Sequence, residues 1–591
     1  LTFAPRCLCG QSFSSQHLER FEPLERFERA VSIGGEDFLS QTAKDANMPE
    51  KALAVQGGKL IDGTGRPPID NSVIIIRSGR FQAVGRSGAV PLPSDAEVID
   101  VKGKTVLPGF IDGHGHLEDF HGELYLHLGI TTCANIEIYQ DGPWSLAQKQ
   151  GTALGKIRGP RIWMSGRAIG GVSTGHDAFG SRTARDNIIV TTPEEVRQAV
   201  TRKKELGCDI LKVNEFLSME LLKVAVDEAH GLDMAVAAHS WDVAGSAKAG
   251  VDSIEHIWSV GYSSIPYVPA RRKLAEDRLG GVIDQELAGA YYQTENFDEV
   301  IGAMVERGVA WTPTIAKWLR PLSPSAQRFR ERENQILNDP NADLPAAVRT
   351  VTDNAYDKLL KRYTPAQLDQ AKVGYERANE FIRRFVRAGG ILKEGSDPPR
   401  GMAALLMHQG LAMDVEAGAS PMTAIQAATL NVARTFKKDK DYGSVEPGKV
   451  ADLSIVEGDP LQDIWMTQNV KMVVIDGKVI DTGFHKSKNP IPSFYSYQSL
   501  PLDLEISPLF LIEGSGPTTL KVRGAGGMWP FHRVMLNGQP LPTSFVSKDE
   551  LKALIPPEAI PTAGTYLVTL KCEGEPFPES HRAHLVVGFR P

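Results

Sequence analysis

Cysteine is scarce: Cys7, Cys9, Cys133, Cys208 and Cys572 are the five in 591 residues, an odd and scattered set. Neither a disulfide framework nor paired zinc-ligand spacing can be built from them, which excludes a small cross-linked scaffold. Cys133 and Cys208 read as small buried apolar residues, and Cys7-Leu8-Cys9 as a loose pair in an N-terminal tail. Long apolar runs are also missing. No stretch reaches the roughly 18 residues a membrane helix needs, so no membrane partner is expected, and residues 1 to 47 lack the apolar core of a secretory signal. An excess of basic charge is absent too. Lys and Arg total 65 against 72 Asp and Glu, for a net charge of −7, and they do not cluster. Nucleic acid is therefore not an expected partner.

What is present is a globular composition, 42% apolar and 23% charged, in a chain long enough for roughly three folding units. Residues 1–50 read as an extension rich in Glu, Arg, Ser and Phe. Short strands separated by turns fill 51–106, and the same texture returns at 441–486, which suggests one small β-sandwich into which the centre is inserted. The central 107–440 alternates short apolar runs with helical patterns. The runs fall at 106–112, 130–136, 161–166, 209–214, 235–239, 252–257, 309–315 and 390–396. Eight strand–helix units fit a (β/α)8 TIM barrel, making the chain α/β. A helical insertion rich in Arg, Glu and Gln is expected at 320–385, as a lid, a subunit contact or a solvated decoration. Beyond a Pro-rich stretch, 500–591 holds alternating strands without helices, the pattern of a C-terminal β-sandwich.

His114 and His116 stand two apart at the end of the first central strand, where the period of a strand puts both imidazoles on one face. Alone, such a pair is weak evidence for a metal. Lys212 in Asp-Ile-Leu-Lys, His239 in Ala-Val-Ala-Ala-His, His256 in Ser-Ile-Glu-His and Asp397 in Glu-Gly-Ser-Asp fall at the ends of other runs. A barrel brings all six to one mouth, the face on which such folds build active sites.

The run Leu-Pro-Gly-Phe-Ile-Asp-Gly-His-Gly-His-Leu resembles the opening metal motif of the amidohydrolase superfamily. Lys212, His239, His256 and Asp397 follow in the order of that superfamily's bridging lysine, two further histidines and catalytic aspartate. Ala-Ile-Gln-Ala-Ala-Thr-Leu-Asn-Val-Ala-Arg and the later Gly-Ser-Val-Glu-Pro-Gly-Lys-Val-Ala-Asp-Leu resemble its exit into the β-domain. The similarity covers about residues 52 to 485 and lies nearest the imidazolonepropionase-like and Xaa-Pro or Xaa-Arg dipeptidase-like enzymes. The eighth-strand motif departs from the branch, with Glu-Gly-Ser-Asp in place of Gly-Thr-Asp. The stretch Arg533 to Pro556 resembles an IPT/TIG immunoglobulin-like domain, which implies packing, assembly or recognition.

The resemblance implies two divalent metal ions, zinc first, with manganese, cobalt or iron as alternatives. His114, His116 and Asp397 would take one ion and His239 and His256 the other, bridged by an N6-carboxylated Lys212. A water shared by the ions attacks a polarised carbonyl, and Asp397 moves its proton to the leaving group. His176, in Ser-Thr-Gly-His-Asp, resembles a substrate-contacting and catalytic histidine of the branch, with a solvent-facing loop residue as the other reading. Tyr262 and Thr312 are candidates to line the substrate pocket, whereas His121 and His127 read as structural. The implied reaction is hydrolysis of an amide or peptide C–N bond in a small-molecule substrate such as a dipeptide or N-acyl amino acid. Lactone, carbamate or phosphotriester hydrolysis would suit the same site, and a non-catalytic scaffold is the rival from another class. A homo-oligomer is expected, and the immunoglobulin-like segment leans the compartment slightly towards export.

Overall fold

The computed structural model describes residues 51–136, 142–171, 187–214, 217–279, 282–486, 489–491, 504–524, 532–547, 550–572 and 582–590. Its centre is a set of eight parallel strands: β1 (Phe110–Gly115), β2 (Ile130–Asn135), β3 (Arg161–Met164), β4 (Ile210–Val213), β5 (Ala235–Ala238), β6 (Ser253–Glu255), β7 (Ala310–Thr312) and β8 (Ile391–Leu392). Almost every residue in them is buried, as expected of parallel strands covered on both faces. They form two arcs, β1-β2-β3 and β4-β5-β6-β7-β8, the second extended by Ala168–Gly170 and Asn187–Ile189. Backbone hydrogen bonds cross both seams. Asp209 N donates to Met164 O at 2.8 Å between β3 and β4, and Gly113 N donates to Glu394 O at 2.9 Å between the end of β8 and β1.

The first apolar run, read as one strand over 106–112, is two. Lys104–Pro108 belongs to a five-stranded sheet with Leu453–Glu457 and Val470–Ile475, and β1 begins after Gly109. The reason is steric: a Cβ at Gly109 would lie 2.3 Å from the Thr131 hydroxyl, so the chain passes from one sheet to the other through the one residue that fits. A second sheet, of Leu53–Gln56, Ser72–Arg77, Arg80–Arg86 and Glu97–Asp100, faces the first. Val55, Ile74 and Phe81 from one sheet and Leu453, Ile455 and Val474 from the other share a single apolar cluster, joining segments far apart in sequence.

The expected insertion divides in the same way. Helices Ala326–Leu337 and Ala346–Asp357 lie within it, but the long helix Pro365–Arg387 is the crossover that returns the chain to β8. Thr364 and Gln367 form a capping box at its start, with Pro365 at the first helical position, where its missing N–H costs nothing. Its buried face, Ala371, Tyr375, Ala378, Phe381, Ile382 and Phe385, repeats every three or four residues. Phe381 and Phe385 meet the Trp311 ring of β7 edge-on at 4.9 and 5.5 Å, so this part of the insertion is core rather than lid.

Residues beyond 504 form two further, largely antiparallel sheets around their own cluster, which includes Leu520, Val522, Val534, Leu551, Val568 and Leu585. Val586 and Phe589 belong instead to the central core, where Phe589 packs against Gly151 of the helix Gly142–Ala153. Among the described residues no helix is long and apolar enough to cross a membrane.

Arg161, at the start of β3, ties the centre to the composite sheets. It pairs with Asp452 and with Asp476, the latter at 2.5 Å, and lies 4.5 Å over the Tyr442 ring. Burial pushes the Asp452 carboxyl up, and the Arg161 guanidinium opposes it. Removing the cation leaves an acid in a site built for a pair. Arg161→Met is expected to cost about 3 kcal/mol, read as a lower urea midpoint, with Asp452→Asn in the same chain recovering part of the loss.

Candidate metal centre

The shape of β1 at its C-terminal end is set by Asp112. Its carboxylate accepts hydrogen bonds from His114 N at 3.1 Å, Ser396 N at 3.0 Å and Tyr125 Oη at 3.0 Å, and also from Ser396 Oγ. Asp397 N donates to His114 O at 2.7 Å. Gly395 accounts for the glycine of Glu-Gly-Ser-Asp, since a Cβ there would lie 2.4 Å from His114 N. The segment after β8 is thereby laid against the His-Gly-His turn, which puts Asp397 beside His116.

Two trios of ligand atoms result. His114, His116 and Asp397 form one, and His114, His239 and His256 the other, with the ligand atoms of each trio within 4.8 Å of one another. His116 Nε2 lies 3.0 Å from Asp397 Oδ1, and His239 Nε2 lies 2.9 Å from His256 Nε2. His114 stands within reach of both groups, and because a neutral imidazole offers one lone pair it can serve one ion at a time. Lys212, fully buried on β4, adds its positive charge to the field that holds His114 and His256 neutral.

Electrostatics favour ligand forms of these groups. Burial lowers the His114 imidazole to about 3, against the opposing pull of Glu255. Burial likewise holds His256 well below the usual histidine range, opposed by Asp397 and reinforced by His114, His239 and Lys212. For Asp397, burial alone would raise the carboxyl, but Lys317, His256 and His116 hold it well below the carboxylate range. His256 and Asp397 also have φ of 71° and 44°, a left-handed conformation costing about 1–3 kcal/mol per residue that persists where surrounding contacts enforce it. Those contacts are visible: His256 N donates to Thr312 O at 2.7 Å, and His256 Nδ1 lies 2.7 Å from Thr314 Oγ1. His114 Nε2 is buried without a hydrogen-bond partner among the described residues, which fits an atom shaped for a metal. Four imidazoles, a carboxylate and a lysine suit divalent ions.

The other candidates separate. Thr312 is fully buried and acts through its carbonyl, as the acceptor that fixes His256. The Tyr262 ring is fully buried between Trp258 and Tyr292, at 5.8 and 6.3 Å, in aromatic packing. His176 lies outside the described residues. His121 accepts from Glu118 N, and His127 stacks on Phe484 at 4.2 Å, both structural roles. Sequence reasoning missed Lys317, whose Nζ lies 2.8 Å from Asp397 Oδ1, and the buried pair Glu255 and Lys393. Glu255 had a signal, an acid at the end of a short strand and next to His256, and Lys317 had none.

A family model described as the amidohydrolase family matches residues 129–480. The chain belongs to that family. This amidohydrolase is 22% identical over 450 residues to an adenine deaminase of Clostridium botulinum, covering 73% of this chain and 57% of the relative, so it spans little more than half that protein. It is 24% identical over 417 residues to a dihydroorotase of Geobacter metallireducens, covering 68% of this chain and 89% of the relative. Among solved structures, a Xaa-Pro dipeptidase with methionine bound in its active site superposes with a TM-score of 0.51 at 22% identity, covering 73% of this chain and all of the other. These neighbours imply a TIM-barrel-containing α/β fold, as expected from the pattern of apolar runs.

Behind Asp397, Glu394 packs against Gly410 of the helix Leu405–Ala417, close to Asp414. Burial pushes both carboxyls well up, and for Glu394 the Asp414 charge adds to the effect. The folded protein therefore holds protons that the unfolded chain releases at ordinary carboxylate values, so this pair's contribution is complete at low pH and declines as pH rises towards the folded values. Asp414→Asn removes one acid and the mutual repulsion. Calorimetry from pH 5 to pH 8 should find a shallower fall of Tm in the variant than in the parent, and equal slopes would contradict the assignment.

Proposed function

We propose that this chain hydrolyses an amide or peptide C–N bond in a small substrate of the dipeptide or N-acyl amino acid type, with two divalent ions held by His114, His116, Lys212, His239, His256 and Asp397. The observation that carries the reading is the convergence of potential ligand atoms of His114, His116, His239, His256 and Asp397, from β1, β5, β6 and the segment after β8, into two overlapping groups. Zinc is the first candidate for this donor set. Lys212 would be N6-carboxylated, its amine taking up carbon dioxide and releasing a proton to leave an anionic bridge. The two arcs of parallel strands are read as one closed (β/α)8 barrel, with 107–440 as its extent and 51–106 with 441–486 as the composite β-domain. The sheets beyond residue 504 are read as an immunoglobulin-like sandwich serving assembly of a homo-oligomer.

When bound, the ions supply Lewis acidity and make water a competent nucleophile near neutral pH. The remaining work belongs to the chain. Asp397, kept ionised by Lys317 and its histidine neighbours, is the base that accepts a proton from the attacking water and returns it to the leaving amine. His116 and Lys317 share Oδ1 of that carboxylate and so fix its orientation. Trp258 lies 5.0 Å from the His256 ring and nearly parallel to it, an apolar wall that excludes water from one side of the site.

Metal analysis of protein purified without chelator is expected to find about two ions per chain, and clearly fewer in Lys212→Ala. Activity on amide substrates should fall by roughly 100-fold or more in Asp397→Asn if the carboxylate moves the proton. Folded parent protein that contains no metal and takes up neither zinc nor manganese would overturn the reading. Turnover of esters or phosphotriesters in preference to amides would change the bond and keep the site.

A further inference from the structure

His114 belongs to both ligand trios, so the position of its single ring proton matters more than that of any other imidazole in the site. A neutral imidazole carries that proton on one nitrogen and offers a lone pair on the other. Three fully buried side chains decide between them: His114 from β1, Glu255 from β6 and Lys393, which follows β8. His114 Nδ1 lies 2.6 Å from Glu255 Oε2. The other carboxylate oxygen accepts from Ser253 Oγ at 2.5 Å, and Lys393 Nζ straddles the carboxylate, 3.2 Å from that far oxygen and 3.4 Å from Oε2. Lys393 Nζ also donates to Gly113 O at 2.9 Å, which anchors the ammonium to the residue before His114.

We propose that Glu255 and Lys393 are positioning residues that set the tautomer of His114. Glu255, an anion that can only accept, holds the proton on Nδ1. Lys393 pairs with both oxygens of Glu255 and favours its anion, while the Ser253 hydroxyl occupies the far oxygen. The lone pair is left on Nε2, the buried atom without a hydrogen-bond partner among the described residues. Such a carboxylate behind a ligating histidine fixes ring orientation and raises ligand basicity. Glu255 and Lys393 lie outside both ligand trios and act only through His114. The inference rests on the metal reading of the site.

The arrangement makes an uncommon prediction for a nearly isosteric change. In Glu255→Gln the single amide oxygen is drawn to the far position, where it meets the Ser253 hydroxyl and the shorter of the two Lys393 contacts. The amide NH2 then faces His114 Nδ1, which must become an acceptor. The ring proton is forced onto Nε2, where the ligand lone pair is needed. Adding Lys393→Met removes the ammonium's demand, so the amide can turn, accept from Nδ1–H and donate to the Ser253 hydroxyl.

The test is 15N NMR of histidine-labelled, metal-free protein, with the His114 signals identified by their loss in His114→Gln. The parent is expected to be protonated at Nδ1, Glu255→Gln at Nε2, and Glu255→Gln/Lys393→Met at Nδ1 again. Zinc affinity, read by competition with a chromophoric chelator, should fall about 10–100-fold in Glu255→Gln and recover in the double variant. A structural role for the buried pair would alter stability without moving the proton. A parent protonated at Nε2, or a folded Glu255→Gln variant that keeps Nδ1–H, overturns the proposal, and the parent measurement holds even if the variants fail to fold. Failure of the parent to bind zinc would overturn the hydrolase reading instead and leave the tautomer to decide this one.

Discussion

The site depends on one junction, where the segment after β8 is hydrogen-bonded to the end of β1. Gly113 N to Glu394 O, Asp397 N to His114 O and the grip of Asp112 on Ser396 bind the two segments together. Without them Asp397 and the His-Gly-His turn would be neighbours only on average, and a candidate metal centre tolerates little slack in its ligands. The glycines at 113 and 395 are what the close approach requires, because a Cβ at either would fall within 2.6 Å of the opposing backbone. The left-handed φ at Asp397 is the local cost of turning its carboxylate back towards His116.

A second constraint is charge. Lys317 and Lys393 are buried beside Asp397 and Glu255, and either one left unpaired would be strongly unfavourable. Burial lowers Lys317 and Lys393, while Asp397 and Glu255 counter it by ion pairing. The pairs run between strand ends, so the network that keeps charges in the interior also sets the angles of the rings that carry the ligand atoms. These contacts orient the side chains without a ligand, which is what electrostatic preorganisation requires.

Much of this was legible in the residues. Eight apolar runs marked where parallel strands would lie, because strands buried on both faces leave no polar alternation to hide them. The candidate ligands were legible because each lay within or just beyond such a run: Lys212 is inside Ile210–Val213, His239 follows Ala235–Ala238, and His256 follows Ser253–Glu255. Other features were not. The break at Gly109 interrupts an apolar stretch whose two halves belong to different sheets, and hydrophobicity does not record which sheet a strand joins. Pro365–Arg387 looked like part of an insertion because its outer face is polar, although its inner face rests on Trp311. Tyr262 was placed at a pocket by its distance along the chain from His256, but the helix Ile257–Ser263 turns its ring into an aromatic cluster.

The amino-acid sequence by itself determined the strand positions, the family resemblance and the six ligand types, since each is a local pattern of polarity or a short motif. Which candidate ligands come together was decided only when β1, β6 and β8 were brought side by side, because His114 meets Glu255, His256 and Asp397 across 141 or more residues of chain. The roles of Glu255, Lys317 and Lys393 were decided there as well. An isolated charged residue in a strand or helix carries no mark of its partner, and the partner is what turns a costly buried charge into a device for aiming an imidazole.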